Sequence, residues 1–173
     1  MVRSMLYATD LGLYAPYVTQ HALALARTFD AELYVIHVVE PMGLFAESVL
    51  QSYLGEDALR ELHGRGVSAF MEGIQQRMLD GFREELGEGH KDLSFIRTVR
   101  VVQGEPSSVI LEQARKLDVD LLVVGSHSHR AKESASIGRT AARVLQLSEV
   151  PVYMVPMMQN RGRGWSDGSR RSN

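Results

Sequence analysis

The sequence predicts an α/β fold with a doubly wound, five-stranded parallel sheet and helices on both faces. Five short apolar runs alternate with segments in which apolar residues recur every three or four positions, the spacing of an amphipathic helix. The runs are apolar almost throughout, which is typical of parallel strands buried on both faces. Because crossovers between parallel strands are right-handed, a doubly wound order is the simplest arrangement.

The predicted strands follow directly from the apolar runs. The first run stops at the polar pair Thr9 and Asp10, and the fourth, which ends at Gly125, is the clearest strand in the chain. The last run is bounded by Pro151 and Pro156. The five strands are predicted over residues 5–8, 33–39, 95–102, 120–125 and 150–155.

Helical spacing predicts the intervening segments. Pro16 suits the first turn of a helix, and Gly104 to Ser107 opens another. A stripe at every fourth position predicts a helix over residues 67–87, preceded by a helix over 46–62, with Gly64 and Gly66 as the break. The predicted core stripes are Val18, Ala22, Leu25, Ala26 and Phe29; Phe70, Ile74, Met78, Phe82 and Leu86; Val109, Ile110, Ala114 and Leu117; and Ile137, Ala141, Val144 and Leu145.

Composition excludes several classes of protein. Hydrophobic residues make up 45% of the 173 residues and charged residues 23%, so a wholly disordered or fibrous chain is not expected. A net charge of −2 gives no reason to expect a nucleic acid or an anionic membrane as partner. The absence of cysteine excludes disulfides, thiolate metal sites and thiol catalysis. With no signal peptide or membrane span in the sequence, we expect a cytoplasmic protein.

The carboxyl-terminal segment differs from the rest of the chain. Residues 157–173 are rich in Gly and Ser and hold four arginines against a single acidic residue, Asp167. Their apolar residues show no period, so we predict an ordered domain over residues 1–156 and a disordered tail over 157–173. Four arginines make only a weak case for RNA or an acidic partner.

The stretch from Gly125 to Thr140 is the strongest functional signal. A strand ends at Gly125, a polar loop follows, and Gly138 precedes a helix whose amino terminus would favour a phosphate. Ser134 and Ser136 are candidate caps for that helix, and Arg130, Lys132 and Arg139 add positive charge. Without further information, an ordinary strand–loop–helix connection explains the same residues. In a doubly wound sheet, ligands bind at the carboxyl ends of the strands, where the winding reverses.

At this point the sequence resembles the universal stress protein family. The resemblance covers most of residues 1–156 and depends on separated matches in the right order: Ala8-Thr9-Asp10, Ile36-His37-Val38, the stretch from Asp118 to His127, and the stretch from Val150 to Pro156. It implies a Rossmann-like or flavodoxin-like fold. In one branch of the family it also implies ATP bound between the first and fourth strands.

That branch carries a phosphate loop of the form Gly-x2-Gly-x9-Gly-Ser/Thr. Gly125 and Gly138 match its first and last glycines, and His127 matches a residue common in the branch. Two positions depart from the pattern. Ser128 replaces the middle glycine and adds a Cβ where backbone would approach phosphate, and Arg139 replaces the small hydroxyl residue, with Thr140 adjacent.

The resemblance also implies contacts outside the loop. Asp10 matches the position beside the adenosine, where a carboxylate can accept a hydrogen bond from the ribose; capping of its own loop is an equally good interpretation. Val38 matches the position that flanks the adenine, and core packing explains it at least as well. The implied nucleotide-binding set is Thr9, Asp10, Val38, Val124, Gly125, His127, Ser128, Gly138, Arg139 and Thr140.

Metal binding and catalysis lack support in the sequence. His127 and His129 share one loop, and His37 is expected at the same end of the sheet, yet spacing identifies no complete ligand set. Ser126, His127 and Asp10 are the separate parts of a hydrolase triad, but no Gly-x-Ser-x-Gly motif is present. We therefore predict no enzyme, no resident metal, and Mg²⁺ only as a companion of ATP.

The function predicted from these residues is that of a cytoplasmic, regulatory stress-response protein that binds ATP or another adenine nucleotide. The alternative is a nucleotide-free, dimeric interaction protein of the same fold, and a slow ATP-hydrolysing enzyme ranks last. In the doubly wound order the strand over residues 150–155 lies at an edge of the sheet and is apolar. We therefore predict a homodimer that pairs through Val150–Val155.

Overall fold

The computed structural model describes residues 1–86, 94–127 and 137–157. Within them, five parallel strands form one sheet in the order β3-β2-β1-β4-β5. This confirms the doubly wound parallel sheet, since the chain builds outward from β1 to β3 and then returns to the other side of β1 with β4. The strands are β1 Ser4–Thr9, β2 Glu32–Val39, β3 Ile96–Gln103, β4 Leu121–Gly125 and β5 Val152–Val155.

Helices cover both faces of the sheet. Met5 and Tyr7 of β1 point into one core layer, and Leu6 between them points into the other, as the two-residue period of a strand requires. Helices α1 (Ala15–Phe29) and α4 (Val67–Leu86) pack on the first face. Helices α5 (Pro106–Lys116) and α6 (Arg139–Leu147) pack on the second. None of the described helices is long and apolar enough to cross a membrane.

The first helix matches its prediction closely. Pro16 lies in its first turn, and the helix ends where Asp30 adopts the left-handed conformation at φ 51°. Leu23 is buried in place of the predicted Leu25, which is half-buried, and Phe29 is exposed near the helix end.

The region before α4 differs from the prediction. The predicted helix over residues 46–62 is two helices, α2 (Leu44–Tyr53) and α3 (Glu56–Glu61), which are separated at Leu54 and Gly55 because Leu54 is extended. The predicted break at Gly64 and Gly66 is wrong, because both glycines lie within a wide π-helical turn, Leu62–Gly66, that runs into α4. A glycine within a helix costs only about 1 kcal/mol relative to alanine, so two of them need not end it.

Several element ends and core positions also differ. Strand β4 begins after Asp120, whose carboxylate accepts hydrogen bonds from the backbone N–H groups of Arg3 (2.7 Å) and Ser4 (3.1 Å); these bonds lower the pKa of Asp120. Strand β5 begins at Val152, after Pro151. Of the predicted core positions, Phe70, Ile137 and Leu145 are exposed. Phe70 and Leu145 lie on helices whose buried faces are carried by other residues, and Ile137 precedes α6 altogether.

Some predictions lie outside the described residues. They concern the helix caps at Ser134 and Ser136, the charges at Arg130 and Lys132, and residues 158–173 of the tail.

Candidate functional site

A cleft opens at the carboxyl ends of β1, β2 and β4, where the winding of the sheet reverses. Its volume is about 660 Å³, within the usual range for small-molecule sites. The ends of the strands form its floor, and the first turns of α5 and α6 line one side. Tyr14 and Ala15 at the start of α1 and Phe70 and Ile74 of α4 line the other side.

The cleft brings together every described residue of the predicted nucleotide-binding set. Ser128 lies outside the described residues. The nine described members, Thr9, Asp10, Val38, Val124, Gly125, His127, Gly138, Arg139 and Thr140, all line this one cleft.

The loop after β1 is held by its own side chains. The Thr9 hydroxyl oxygen accepts the backbone N–H of Leu11 at 3.1 Å, and a carboxylate oxygen of Asp10 accepts that of Gly12 at 2.9 Å. Asp10 therefore caps its loop, as the alternative interpretation proposed, and its exposed side chain also borders the cleft. Leu11 between these contacts has a φ of 56°, which is unusual for a branched side chain.

Ser126 closes the base of the loop that follows β4. Its carbonyl oxygen accepts the N–H of Gly138 at 2.8 Å, so the residue that leaves β4 and the residue that precedes α6 are bonded directly. Its own N–H donates to the carbonyl oxygen of Val155 in β5 at 2.8 Å, and its hydroxyl oxygen accepts the N–H of Met157 at 2.9 Å. These bonds hold Gly125 and Gly138 at the same edge of the sheet.

The two helix N-termini that line the cleft differ in how their backbone N–H groups are used. At α5, the carboxylate of Glu105 accepts the N–H groups of Ser108 (2.7 Å) and Ser107 (3.2 Å). Hydrogen bonds from Ser108 and Ser107 lower the pKa of Glu105 to about 2. The N-terminus of α5 thus already holds an anion, supplied by the protein itself.

The N-terminus of α6 is different. Gly138 is its N-cap residue, and among the described residues no side chain caps it. In the first intrahelical hydrogen bond, the N–H of Ala142 donates to the carbonyl oxygen of Gly138 at 2.9 Å. The N–H groups of residues 139–141 therefore have no partner inside the helix. Arg139 adds a positive charge there and makes no ion pair within the described part of the chain. This is the arrangement that attracts a phosphate.

His37 is a polar residue that lines the cleft and that the predicted binding set omitted. Its Nδ1 lies 2.8 Å from the carbonyl oxygen of Thr9, which can only accept, so Nδ1 carries the proton and donates. In the neutral ring, Nε2 is then an acceptor. Its position near the carboxyl end of a buried strand was a signal that pointed to the cleft, because a polar side chain there needs a hydrogen-bond partner or a ligand.

The valines of the predicted set belong to the core as well as to the cleft. Val124 is buried, and Val38 packs against the same apolar layer under α5 and α6. The core-packing interpretation of Val38 is therefore confirmed, and its side chain still reaches the cleft wall.

The cleft also includes residues that sequence reasoning missed. Tyr14 and Phe70 come from the start of α1 and a face of α4, and their place at the cleft depends on how these helices pack. Glu40 and Ser126 directly follow β2 and β4, where ligands are expected in a doubly wound sheet, but the predicted binding set left them out. Ser126 and His127 do form a hydrogen bond of 2.8 Å. However, Ser126 is only 4% exposed and its oxygen accepts the N–H of Met157, so its hydroxyl is poorly placed to attack a substrate.

In the described part of the chain, no three His, Asp or Glu side chains lie close enough together to hold a metal ion. His129 lies outside the described residues.

Comparison with known proteins gives a consistent result. The model of the universal stress protein family matches residues 1–156. The universal stress protein YxiE of Bacillus subtilis is 28% identical over 156 residues, covering 90% of this chain and 99% of the relative. The universal stress protein MJ0577 of Methanocaldococcus jannaschii is 22% identical over 158 residues, covering 90% and 95%.

Solved structures share the fold. The structure of MJ0577 superposes with a TM-score of 0.63 at 21% identity, covering 92% of this chain and 99% of that one. The crystal structure of a universal stress protein in complex with cAMP superposes with a TM-score of 0.54 at 19% identity, covering 90% and 97%. These neighbours have the Rossmann-like α/β fold described above.

Proposed function

Because this chain belongs to the universal stress protein family, we propose that it is a regulatory stress-response protein that binds an adenine nucleotide in the cleft between β1 and β4. The observation that carries the proposal is the convergence of all nine described residues of the predicted set on one cleft. The family resemblance was drawn from separated parts of the chain, and the order of the strands in the sheet brings those parts to one edge.

The adenosine half of the ligand fits the side of the cleft formed by β1 and β2. We place the base against Val38 and the ribose beside Asp10, whose carboxylate can accept a hydroxyl hydrogen bond. A neighbouring family member was crystallised with cAMP, which supports an adenine nucleotide as the ligand class. ATP is the specific ligand that we propose.

The phosphate half fits the N-terminus of α6. The N–H groups of residues 139–141 point along the start of the helix, and its dipole places partial positive charge there. The side chain of Arg139 adds a full charge at the same end. The carboxylate of Glu105 already accepts the backbone N–H groups at the start of α5, so we assign the phosphates to α6 rather than to α5. Mg²⁺ would enter only with the triphosphate.

The proposed role is binding and not catalysis. The Ser126 hydroxyl is buried, and the described residues offer no metal-ligating carboxylate cluster that would activate a water for hydrolysis. We infer that nucleotide occupancy alters how the protein meets a partner in the cytoplasm.

The test combines recovery of ligand with measured affinity. Mass analysis of the small molecules released from acid-denatured, purified protein identifies any nucleotide that co-purifies. Titration calorimetry then compares the wild type with Asp10→Ala and Gly138→Val, each of which we expect to weaken ATP binding by about tenfold through loss of one polar contact or of backbone approach.

Matched controls separate the site from general effects. Asp57→Ala removes a fully exposed carboxylate on α3, and Gly55→Val adds a side chain where an added Cβ meets nothing within 4 Å. Both should bind ATP as the wild type does. Unchanged affinity in folded Asp10→Ala and Gly138→Val would refute this site.

A homodimer that forms without nucleotide is the second candidate, and one observation favours it. Strand β5 pairs only with β4 within the described residues, so its outer edge is open there, and Tyr153 on it is exposed. We propose that two copies pair through Val150–Val155. Recovery of no nucleotide from a protein that is dimeric in solution would favour this candidate over the first.

A further inference from the structure

A second cavity lies beside the proposed nucleotide cleft, between the N-terminal half of α1 and the C-terminal half of α4. Its volume is about 740 Å³, again within the range of small-molecule sites. It borders the nucleotide cleft at Thr9, Ala15 and Ile74, which line both cavities, and otherwise has its own lining. Of the nine described residues of the predicted nucleotide-binding set, Thr9 alone lines it.

The side chains that line this second cavity are mostly apolar, and the polar ones are Thr9, Thr19 and two charged residues. Ile74, Met78 and Phe82 of α4 form one wall at successive turns and are 8%, 6% and 5% exposed. Ala15 and Pro16 of α1 form the facing wall, and Leu11 closes the end near β1. Apolar surface arranged in a concave shape of this size favours an apolar ligand body.

Two backbone features make room for the cavity at some cost in stability. Gly81 lies within α4 where a Cβ would meet nothing within 4 Å, and a glycine there costs about 1 kcal/mol relative to alanine. Leu11 holds a left-handed φ of 56° and presents its 44% exposed side chain at the cavity. Each feature leaves apolar surface exposed to the cavity. An alanine at position 81, or a right-handed backbone at Leu11, would make the free protein more stable.

Two opposite charges line the cavity at different points along α4. Arg77 and Glu84 both line it, and their seven-residue spacing on α4 separates them by about 10 Å along the helix axis. Arg77 donates from Nε to the carbonyl of Gly73 at 3.4 Å, and neither charge has an ion-pair partner among the described residues. A negative group is attracted at the Arg77 end and repelled at the Glu84 end.

We propose that this cavity binds an amphipathic monocarboxylate, such as a medium-chain fatty acid. Its apolar body packs against Ile74, Met78 and Phe82, and its carboxylate pairs with Arg77. The site is separate from the proposed nucleotide site and does not depend on nucleotide binding.

Decanoate is the probe, and titration calorimetry on the full chain is the measurement. We expect saturable binding with one site per chain. In Gly81→Leu the new side chain fills the cavity, so we expect binding to weaken by about tenfold or more. Absence of decanoate binding to the wild type, or unchanged binding in Gly81→Leu, would overturn the proposal.

Gly73→Leu is the matched control. Gly73 also lies in α4, and a Cβ there also meets nothing within 4 Å, but the residue does not line the cavity. Since both substitutions replace a helical glycine, both should preserve the fold and raise helix stability. Decanoate binding that weakens equally in both variants would contradict the assigned location.

A third arm tests the role of Arg77. Arg77→Gln should weaken decanoate by about threefold, the range of a partly exposed ion pair, and leave the binding of decanol unchanged. Equal effects on the acid and the alcohol would show that Arg77 does not recognise the carboxylate. ATP affinity, measured on the same Gly81→Leu protein, should stay at the wild-type value, so failure of one site is distinguishable from failure of the other.

Discussion

Glu105 caps the N-terminus of α5, and its replacement by alanine should destabilise the protein in a pH-dependent way. The substitution removes the carboxylate that accepts the N–H groups of Ser107 and Ser108. These donors would then lose their partner at a helix end, where the macrodipole also favours a negative charge.

The magnitude follows from the pKa of the same carboxyl group. A fall from the ordinary value of 4.5 to about 2 corresponds to about 3.4 kcal/mol if nothing screens the charge. The side chain is exposed, so solvent screening reduces this figure, and about 1–2 kcal/mol agrees with measured losses of helix N-caps. We expect Glu105→Ala to lower the free energy of unfolding by that amount at neutral pH.

The sign of the pH dependence is set by the direction of the pKa change. Because the pKa is lower in the folded protein, the stabilisation is complete above the unfolded value of 4.5 and is lost as the pH falls towards about 2. At about pH 3 the difference between wild type and Glu105→Ala should be less than half its neutral value.

Urea unfolding at neutral pH and at about pH 3 tests this prediction. Glu61→Ala, at an exposed position on α3, is the control and should change little at either pH. Glu105→Gln keeps an acceptor oxygen without the charge, so its loss should be smaller than that of Glu105→Ala. If Glu105→Ala destabilises equally at both pH values, the capping charge is not the cause.

Other substitutions test packing, the phosphate loop and assembly. Gly104→Ala should cost about 1–3 kcal/mol in urea unfolding, because its Cβ would lie 2.5 Å from Cγ2 of Val109. Gly55→Ala has open space and should be nearly neutral, so an equal loss in both would refute the steric cause. Ser128→Gly should tighten ATP binding in calorimetry, because it lets the backbone approach the phosphates more closely, whereas Arg139→Ser should weaken it, because it removes the charge assigned to them; the opposite sign in either variant would refute that part of the phosphate assignment. Met154→Lys on β5 should convert the expected dimer to a 19.3 kDa monomer in sedimentation equilibrium, whereas Leu13→Lys, on an exposed loop, should not. A dimer that survives Met154→Lys would have its interface elsewhere.

Local patterns in the sequence determined the order of the elements and the class of the fold. The run Leu121–Gly125 is apolar on both sides of the strand, which favours a place inside a sheet with two covered faces. The matches around Asp10 and Gly125 identified the family, and the doubly wound order then put both residues at the same edge of the sheet. Where the pattern was weak, as at Leu54 and Gly64, helix breaks were assigned to the wrong residues, because glycine only slightly disfavours a helix and tertiary packing decides the outcome.

Only the tertiary structure decided which polar groups meet and which cavities stay open. His37 bonds to Thr9, 28 positions away, and Ser126 bonds to Met157, 31 positions away; no local period encodes either pair. The second cavity depends on the distance between α1 and α4, which is set by the side chains packed between them. A sequence specifies the preferred face of each helix through its own periodicity. The space left between two helices depends on the way in which side chains from distant parts of the chain pack together.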